Sequence, residues 1–115
     1  MSTSEDRSIE RRASRRIPVR FTVQCRRQGP NAFEHRAEVV DVSLGGVRIT
    51  ANDRLDVGNV VELTVDEGQE QLTLSGLVVA TSPQRSRPRY AHIAFTRLQP
   101  STVERIGALV DRLAS

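Results

Sequence analysis

The stretch that decides the fold is residues 39–51, VVDVSLGGVRITA. Its central hexapeptide, DVSLGG at 41–46, interrupts an alternation of apolar and polar residues that resumes with Val47, Ile49 and Ala51 on one face. Asp and Ser side chains hydrogen-bond to backbone amides in tight turns, and glycine tolerates positive φ. The stretch therefore predicts two strands joined by a tight turn. A plain turn is the simpler interpretation of this stretch on its own, and in the functional interpretation a carboxylate and a hydroxyl are exposed on its outer side.

The two-residue period extends to both sides of this turn. The predicted strands cover residues 18–26, 33–42, 47–51, 61–65, 72–80 and 90–96. In the fifth strand Leu77 and Val79 make the second face apolar as well, so we expect this strand to be covered on both sides. Six short strands without intervening helices predict an antiparallel sheet, which closes most economically as a barrel.

The period changes to that of a helix at the C-terminus. Apolar residues at helical spacing are Val103, Ile106, Leu109, Val110 and Leu113. Ser101 and Glu104 form a capping box after Pro100, which predicts an amphipathic helix over 101–114 beginning at Ser101. The apolar stripe allows packing on the barrel or contact with another molecule, and we favour packing on the barrel.

Size and composition exclude several classes of protein. The 115 residues allow one small domain, and the single cysteine, Cys25, excludes a disulfide framework and a cysteine-based zinc site. We interpret Cys25 as a buried strand thiol. No apolar run approaches the ~20 residues of a membrane span, and no secretory signal is evident, so we expect a cytoplasmic protein. His35 and His92 lie in no catalytic or metal-binding motif, which indicates neither an enzyme nor a metal site.

Positive charge is concentrated at the N-terminus. All 17 basic residues are arginines, and eight of them lie in residues 1–27 against three acidic residues, whereas residues 28–115 have a net charge of −2. A guanidinium forms paired hydrogen bonds with phosphate or with guanine O6 and N7, and it stacks on bases. Within ERRASRR at 10–16 two pairs of arginines are four residues apart, Arg11 with Arg15 and Arg12 with Arg16. A solvated basic tail is the simpler interpretation of this segment on its own.

The two features together resemble a known family. An RxxxR arm before the first strand, followed about 25 residues later by a (D/N)xSxxG turn in an antiparallel barrel, is similar to the PilZ domain, a family of bacterial receptors for cyclic di-GMP. The turn motif is matched by Asp41, Ser43 and Gly46. The arm motif is best matched by Arg11 and Arg15, and the shifted pair competes with it. The resemblance implies a six-stranded antiparallel PilZ-type β-barrel with a C-terminal α-helix.

The resemblance also implies a ligand site. Arg11 and Arg15 would contact phosphate and the guanine Hoogsteen edge, Asp41 would accept from the guanine Watson–Crick edge, Ser43 would bond a guanine or phosphate group, and Gly46 would keep the floor of the site open. Second-choice contacts are Arg12, Arg16, Gly45 and Arg48. The ligand is cyclic di-GMP, with no further cofactor and no metal, and one or two ligand molecules per chain both remain open.

The expected organisation follows from this resemblance. We expect a disordered tail at 1–9 and a PilZ domain at 10–114, made of a ligand-binding arm at 10–17, a barrel at 18–97 and the helix at 101–114. The ligand would order the arm over the barrel and create a surface for a partner protein that controls motility, exopolysaccharide or biofilm. The alternatives are a nucleic-acid-binding small barrel with a basic arm, which the net negative body disfavours, and a PilZ-like adaptor that binds no ligand.

Overall fold

The computed structural model describes residues 16–29, 32–51, 55–67, 70–83 and 85–114. The predicted tail at 1–9 and arm residues Arg11, Arg12 and Arg15 lie outside the described residues. The elements in chain order are β1 (Ile17–Arg27), β2 (Phe33–Val42), β3 (Gly46–Thr50), β4 (Val60–Glu67), β5 (Glu70–Thr81), β6 (Tyr90–Thr96) and α1 (Pro100–Ala114).

The strands close into an antiparallel barrel in the order β1-β2-β3-β6-β5-β4. This confirms the predicted fold class. Ile17, predicted as the last residue of the arm, is the first residue of β1 and pairs with Val42. Arg16 therefore stands directly where the chain enters the barrel.

The barrel interior is filled by the inward residues of all six strands. Cys25 is completely buried there, as predicted, and burial raises the pKa of its thiol to about 11. Leu55, from the connection between β3 and β4, is equally buried although no period in the sequence marks it. Ile106 and Leu109 of α1 are buried with the core residues of the barrel, so the helix packs on its own barrel, as we favoured from the sequence.

The helix begins one residue earlier than the capping box predicts. Pro100 is its first residue, and the Val103 amide donates to the Gln99 carbonyl at 3.0 Å, which makes Gln99 the N-cap. Ser101 lies inside the first turn, so the predicted capping box was wrong. Proline suits this first position because it has no amide hydrogen to leave unsatisfied and its φ is already helical.

A bulge in β2, just before the D-x-S-x-x-G turn, changes which residues of the strand face the core. Val39 pairs with Ile49 and Asp41 pairs with Arg48, so two residues of β2 are matched by one residue of β3. Unbroken alternation would point Asp41 into the core with Val39, two residues earlier. The bulge instead places Asp41 beside Arg48 and lets Val42 turn inward.

A second bulge lies in β5. Val78 pairs with Ile93 and Ala80 with His92, which leaves Val79 as the extra residue. Val79 is 50% exposed and Leu77 is also exposed, so the prediction that both faces of this strand are covered was wrong. The bulge also moves Ala80 to the outer face, whereas strict alternation would place it inside with Val78.

In the described part of the chain, no helix has the length and apolar character of a membrane span. Within the same residues, no three His, Cys, Asp or Glu side chains come together as metal ligands would.

Candidate ligand-binding site

The turn between β2 and β3 is held by its own hydrogen bonds. The Ser43 amide donates to the Gly46 carbonyl at 2.9 Å, and the Ser43 hydroxyl oxygen accepts from the Gly45 amide at 3.2 Å. The same hydroxyl lies 3.3 Å from the Gly46 carbonyl, to which it donates. Ser43 is buried, which corrects the expectation of an exposed hydroxyl on this turn. Its hydroxyl fixes the shape of the turn.

Gly46 is required by the close approach of two strands. A Cβ at this position would overlap the carbonyl oxygen of Ile93 in β6, which is backbone and cannot swing away. Its φ is not in the left-handed region, so the turn uses this glycine for space and not for a positive φ. The neighbouring Gly45 accepts a hydrogen bond from the Phe95 amide at 3.0 Å, which ties the turn to β6.

Asp41 binds two arginines through its two carboxylate oxygens. Arg16 Nη1 donates to Oδ1 at 2.6 Å, and Arg48 Nε lies 2.9 Å from Oδ2. The Arg48 N–H is not directed at that oxygen, so the second contact is an ion pair without a hydrogen bond. Asp41 is only 6% exposed, which corrects the expectation of an outward-facing, accessible carboxylate.

The strand register extends this polar cluster across the outer face of the barrel. Asp41 pairs with Arg48, and Arg48 pairs with His92 of β6, so the three side chains form one row over β2, β3 and β6. The guanidinium of Arg48 also lies 5.2 Å from the centre of the Tyr90 ring, a cation–π contact. Arg48 is therefore held from two sides, by a carboxylate and by a ring.

A groove of about 310 Å³ lies beside this row on the outside of the barrel. Its lining residues are Arg16, Ser43, Gly45, Gly46, Val79, His92, Ile93 and Ala94. Asp41 and Arg48 do not line it, and Arg16, which binds Asp41, does. Arg16 thus links the Asp41 carboxylate to the groove.

The structure brings most of the predicted site residues together. Arg16, Asp41, Ser43, Gly45, Gly46 and Arg48 all lie at this end of the barrel. Sequence analysis missed the wall formed by Val79, His92 and Ala94. Val79 could not be found, because a bulge leaves no mark in the alternation. His92 could have been found by pairing the third and sixth predicted strands.

Fold and groove together define a small β-barrel domain with a polar site on its outer face that is lined in part by an arginine. The PilZ domain family matches residues 10–112, and the chain belongs to that family. No curated protein sequence matches the chain.

Solved structures show the same fold at low identity. The PilZ domain of CeSA from a cellulose-synthesizing bacterium is 18% identical with a TM-score of 0.68, over 89% of this chain and 100% of that one. The PilZ domain of Escherichia coli YcgR with c-di-GMP is 16% identical with a TM-score of 0.68, over 86% and 88%. The Bacillus subtilis inhibitor of motility MotI/DgrA is 18% identical with a TM-score of 0.61, over 86% of this chain and 51% of that protein.

Proposed function

We propose that this chain is a cytoplasmic receptor for cyclic di-GMP. The observation that carries the proposal is Asp41, a nearly buried carboxylate bound by Arg16, an arginine that lines the groove. The Watson–Crick edge of guanine presents N1–H and N2–H in parallel, and a carboxylate accepts both. Membership of the PilZ family and the E. coli YcgR domain solved with c-di-GMP support the same ligand.

Binding is proposed to exchange one partner of Asp41. A guanidinium and the guanine edge both offer parallel N–H donors, so Arg16 occupies Oδ1 where the base would bind. The guanine edge replaces Arg16, and the released guanidinium turns to phosphate or to guanine O6 and N7. Arg48 stays, because the Tyr90 ring and Asp41 hold it.

The contact of Arg16 with Asp41 favours one of the two arginine pairs of the arm. Arg16 lies at the groove, and its partner four residues earlier is Arg12. We therefore propose Arg12 and Arg16 as the working pair, in place of Arg11 and Arg15. The N-terminal excess of positive charge attracts the dianionic ligand. The arm arginines that bind the ligand then hold the arm over the barrel.

The output is proposed to be a surface made of arm, ligand and barrel that a partner protein recognises. Control of motility, exopolysaccharide or biofilm is the class of process proposed, in keeping with the motility inhibitor among the structures that share the fold.

Isothermal titration calorimetry with cyclic di-GMP tests the proposal. We expect saturable binding at micromolar or lower concentration, no comparable heat with GTP or cyclic di-AMP, and no steeply salt-dependent binding of oligonucleotides. Absence of heat with a folded barrel would refute the proposed ligand. Oligonucleotide binding that falls steeply with salt would support the nucleic-acid alternative instead.

The choice of arginine pair has its own test. Arg12→Ala and Arg16→Ala should each weaken the binding of cyclic di-GMP strongly. Arg11→Ala and Arg15→Ala should each reduce the affinity less. Each variant removes one charge from the same segment, so the four are matched controls for one another. The reverse order would restore Arg11 and Arg15 as the working pair.

A further inference from the structure

His92 is the polar side chain of the groove that has no partner among the described residues. Three polar side chains line the groove: Arg16, Ser43 and His92. Arg16 is bound to Asp41, and the Ser43 hydroxyl is used inside the turn. Among the residues that the structure describes, His92 makes no hydrogen bond, ion pair or ring contact. Its imidazole is the free hydrogen-bonding group on the groove wall.

The register explains why this imidazole faces the groove. His92 pairs with Arg48 on one side and with Ala80 on the other, and the bulge at Val79 turns both Val79 and Ala80 outward. At this position the neighbouring strand β5 therefore offers His92 no hydrogen-bonding side chain. The imidazole is half-buried between an apolar wall and a guanidinium.

The charges around His92 favour an anion. Arg48 lies beside it on β3, Arg16 also lines the groove, and Asp41 on β2 binds both arginines. Facing β5 residues Val79 and Ala80 carry no charge. The described groups around the imidazole thus sum to one net positive charge, and a further cation in their midst becomes favourable when an anion enters the groove.

We infer that His92 is a further ligand contact that donates an N–H to a phosphate oxygen of the bound nucleotide, and that it is doubly protonated when the ligand is bound. This inference rests on the proposed function. An imidazole exchanges its proton between about pH 5 and pH 8, so a phosphodiester held by His92 links ligand binding to proton uptake. The affinity for cyclic di-GMP therefore rises as pH falls.

The test is calorimetric titration with cyclic di-GMP at about pH 6 and about pH 8 for the parent, His92→Gln and His35→Gln. The chain has two histidines, so the second variant is a matched control. We expect the parent to bind roughly two to five times more tightly at the lower pH, the effect of a partly exposed charge pair. His92→Gln keeps a donor but loses this dependence, and His35→Gln retains it.

Proton uptake gives a second readout. Titrations at one pH in buffers of different ionisation enthalpy should show a proton taken up by the parent on binding and none by His92→Gln; His92→Asn serves if the Gln variant does not fold. If the affinity of the parent for cyclic di-GMP does not change with pH, or if His92→Gln keeps the same pH dependence, the inference is wrong while the proposed ligand stands. A folded parent that does not bind at either pH would overturn both.

Discussion

Replacing Asp41 by Asn removes the charge at the centre of the site while keeping the shape of the side chain. An amide has one acceptor oxygen, so it accepts one of the two guanine N–H groups and turns its NH₂ toward the other. A hydrogen bond to a charged group contributes about 1.5–3 kcal/mol. Losing one such bond and weakening the other costs about 3 kcal/mol, which is a reduction in affinity of roughly a hundredfold.

The fold should survive this substitution. The side chains of Arg16 and Arg48 are 46% and 39% exposed, so both can turn to water when the carboxylate is gone. Thermal unfolding followed by circular dichroism checks this, and calorimetry measures the affinity. Asp41→Asn with an affinity within about threefold of the parent, in a folded barrel, would refute the assignment of Asp41 to the guanine edge.

The same strand supplies a matched control. Glu38 lies on β2 and pairs with Arg20 Nε at 3.0 Å, but on an exposed surface away from the groove. Glu38→Gln removes one carboxylate charge from β2 just as Asp41→Asn does. We expect it to leave the affinity unchanged, because exposed ion pairs contribute little and screening limits their reach.

Three further predictions concern the scaffold. Gly46→Ala should lower the free energy of unfolding by about 1–3 kcal/mol, and the melting temperature with it, because the added Cβ overlaps the Ile93 carbonyl. Gly107→Ala in α1 meets only an ordinary contact and should stabilise the helix by up to about 1 kcal/mol. Equal melting temperatures for the two variants would contradict this. Burial lowers the pKa of His35, so the folded protein favours its neutral form. The contribution of His35 to stability is fully present above pH 6.5, the ordinary pKa of histidine, and is lost as pH falls below it. Urea unfolding from about pH 7.5 to about pH 5 measures this loss, and His35→Phe should make the free energy of unfolding less dependent on pH. Burial of Cys25 and its raised pKa predict that a thiol reagent reacts in urea but not with the native protein, and fast native labelling would show that the barrel opens.

The barrel could be predicted because its residues obey simple alternation. Val23 and Cys25 in β1, and Val47 and Ile49 in β3, are buried as their period requires. Such patterns report which face of a strand meets the core, and six of them with tight connections leave few other architectures. Leu55 escaped prediction, since a single core residue in a connection has no period.

The candidate site was predictable in its residue types and less so in its arrangement. The motif places Asp41, Ser43 and Gly46 on one turn, but the bulge at Val40 decides which face Asp41 occupies, and no local pattern marks a bulge. The two ion pairs of Asp41 depend on a residue before β1 and a residue of β3, so they arise from strand pairing and not from local sequence. For the same reason Asp41 and Ser43 proved buried where exposure was expected.

A titration of the ¹⁵N-labelled protein with cyclic di-GMP, followed by the backbone amide signals, shows whether the groove holds the ligand. We expect saturable shifts concentrated at Arg16, the turn 43–46 and residues 92–94, which form or adjoin the groove. A second concavity on the barrel, lined by residues that include Gln24, Arg36 and Asp66, serves as the internal reference, and its amide signals should stay unchanged. Shifts confined to that second concavity, or no saturable shifts at all, would contradict the proposed site.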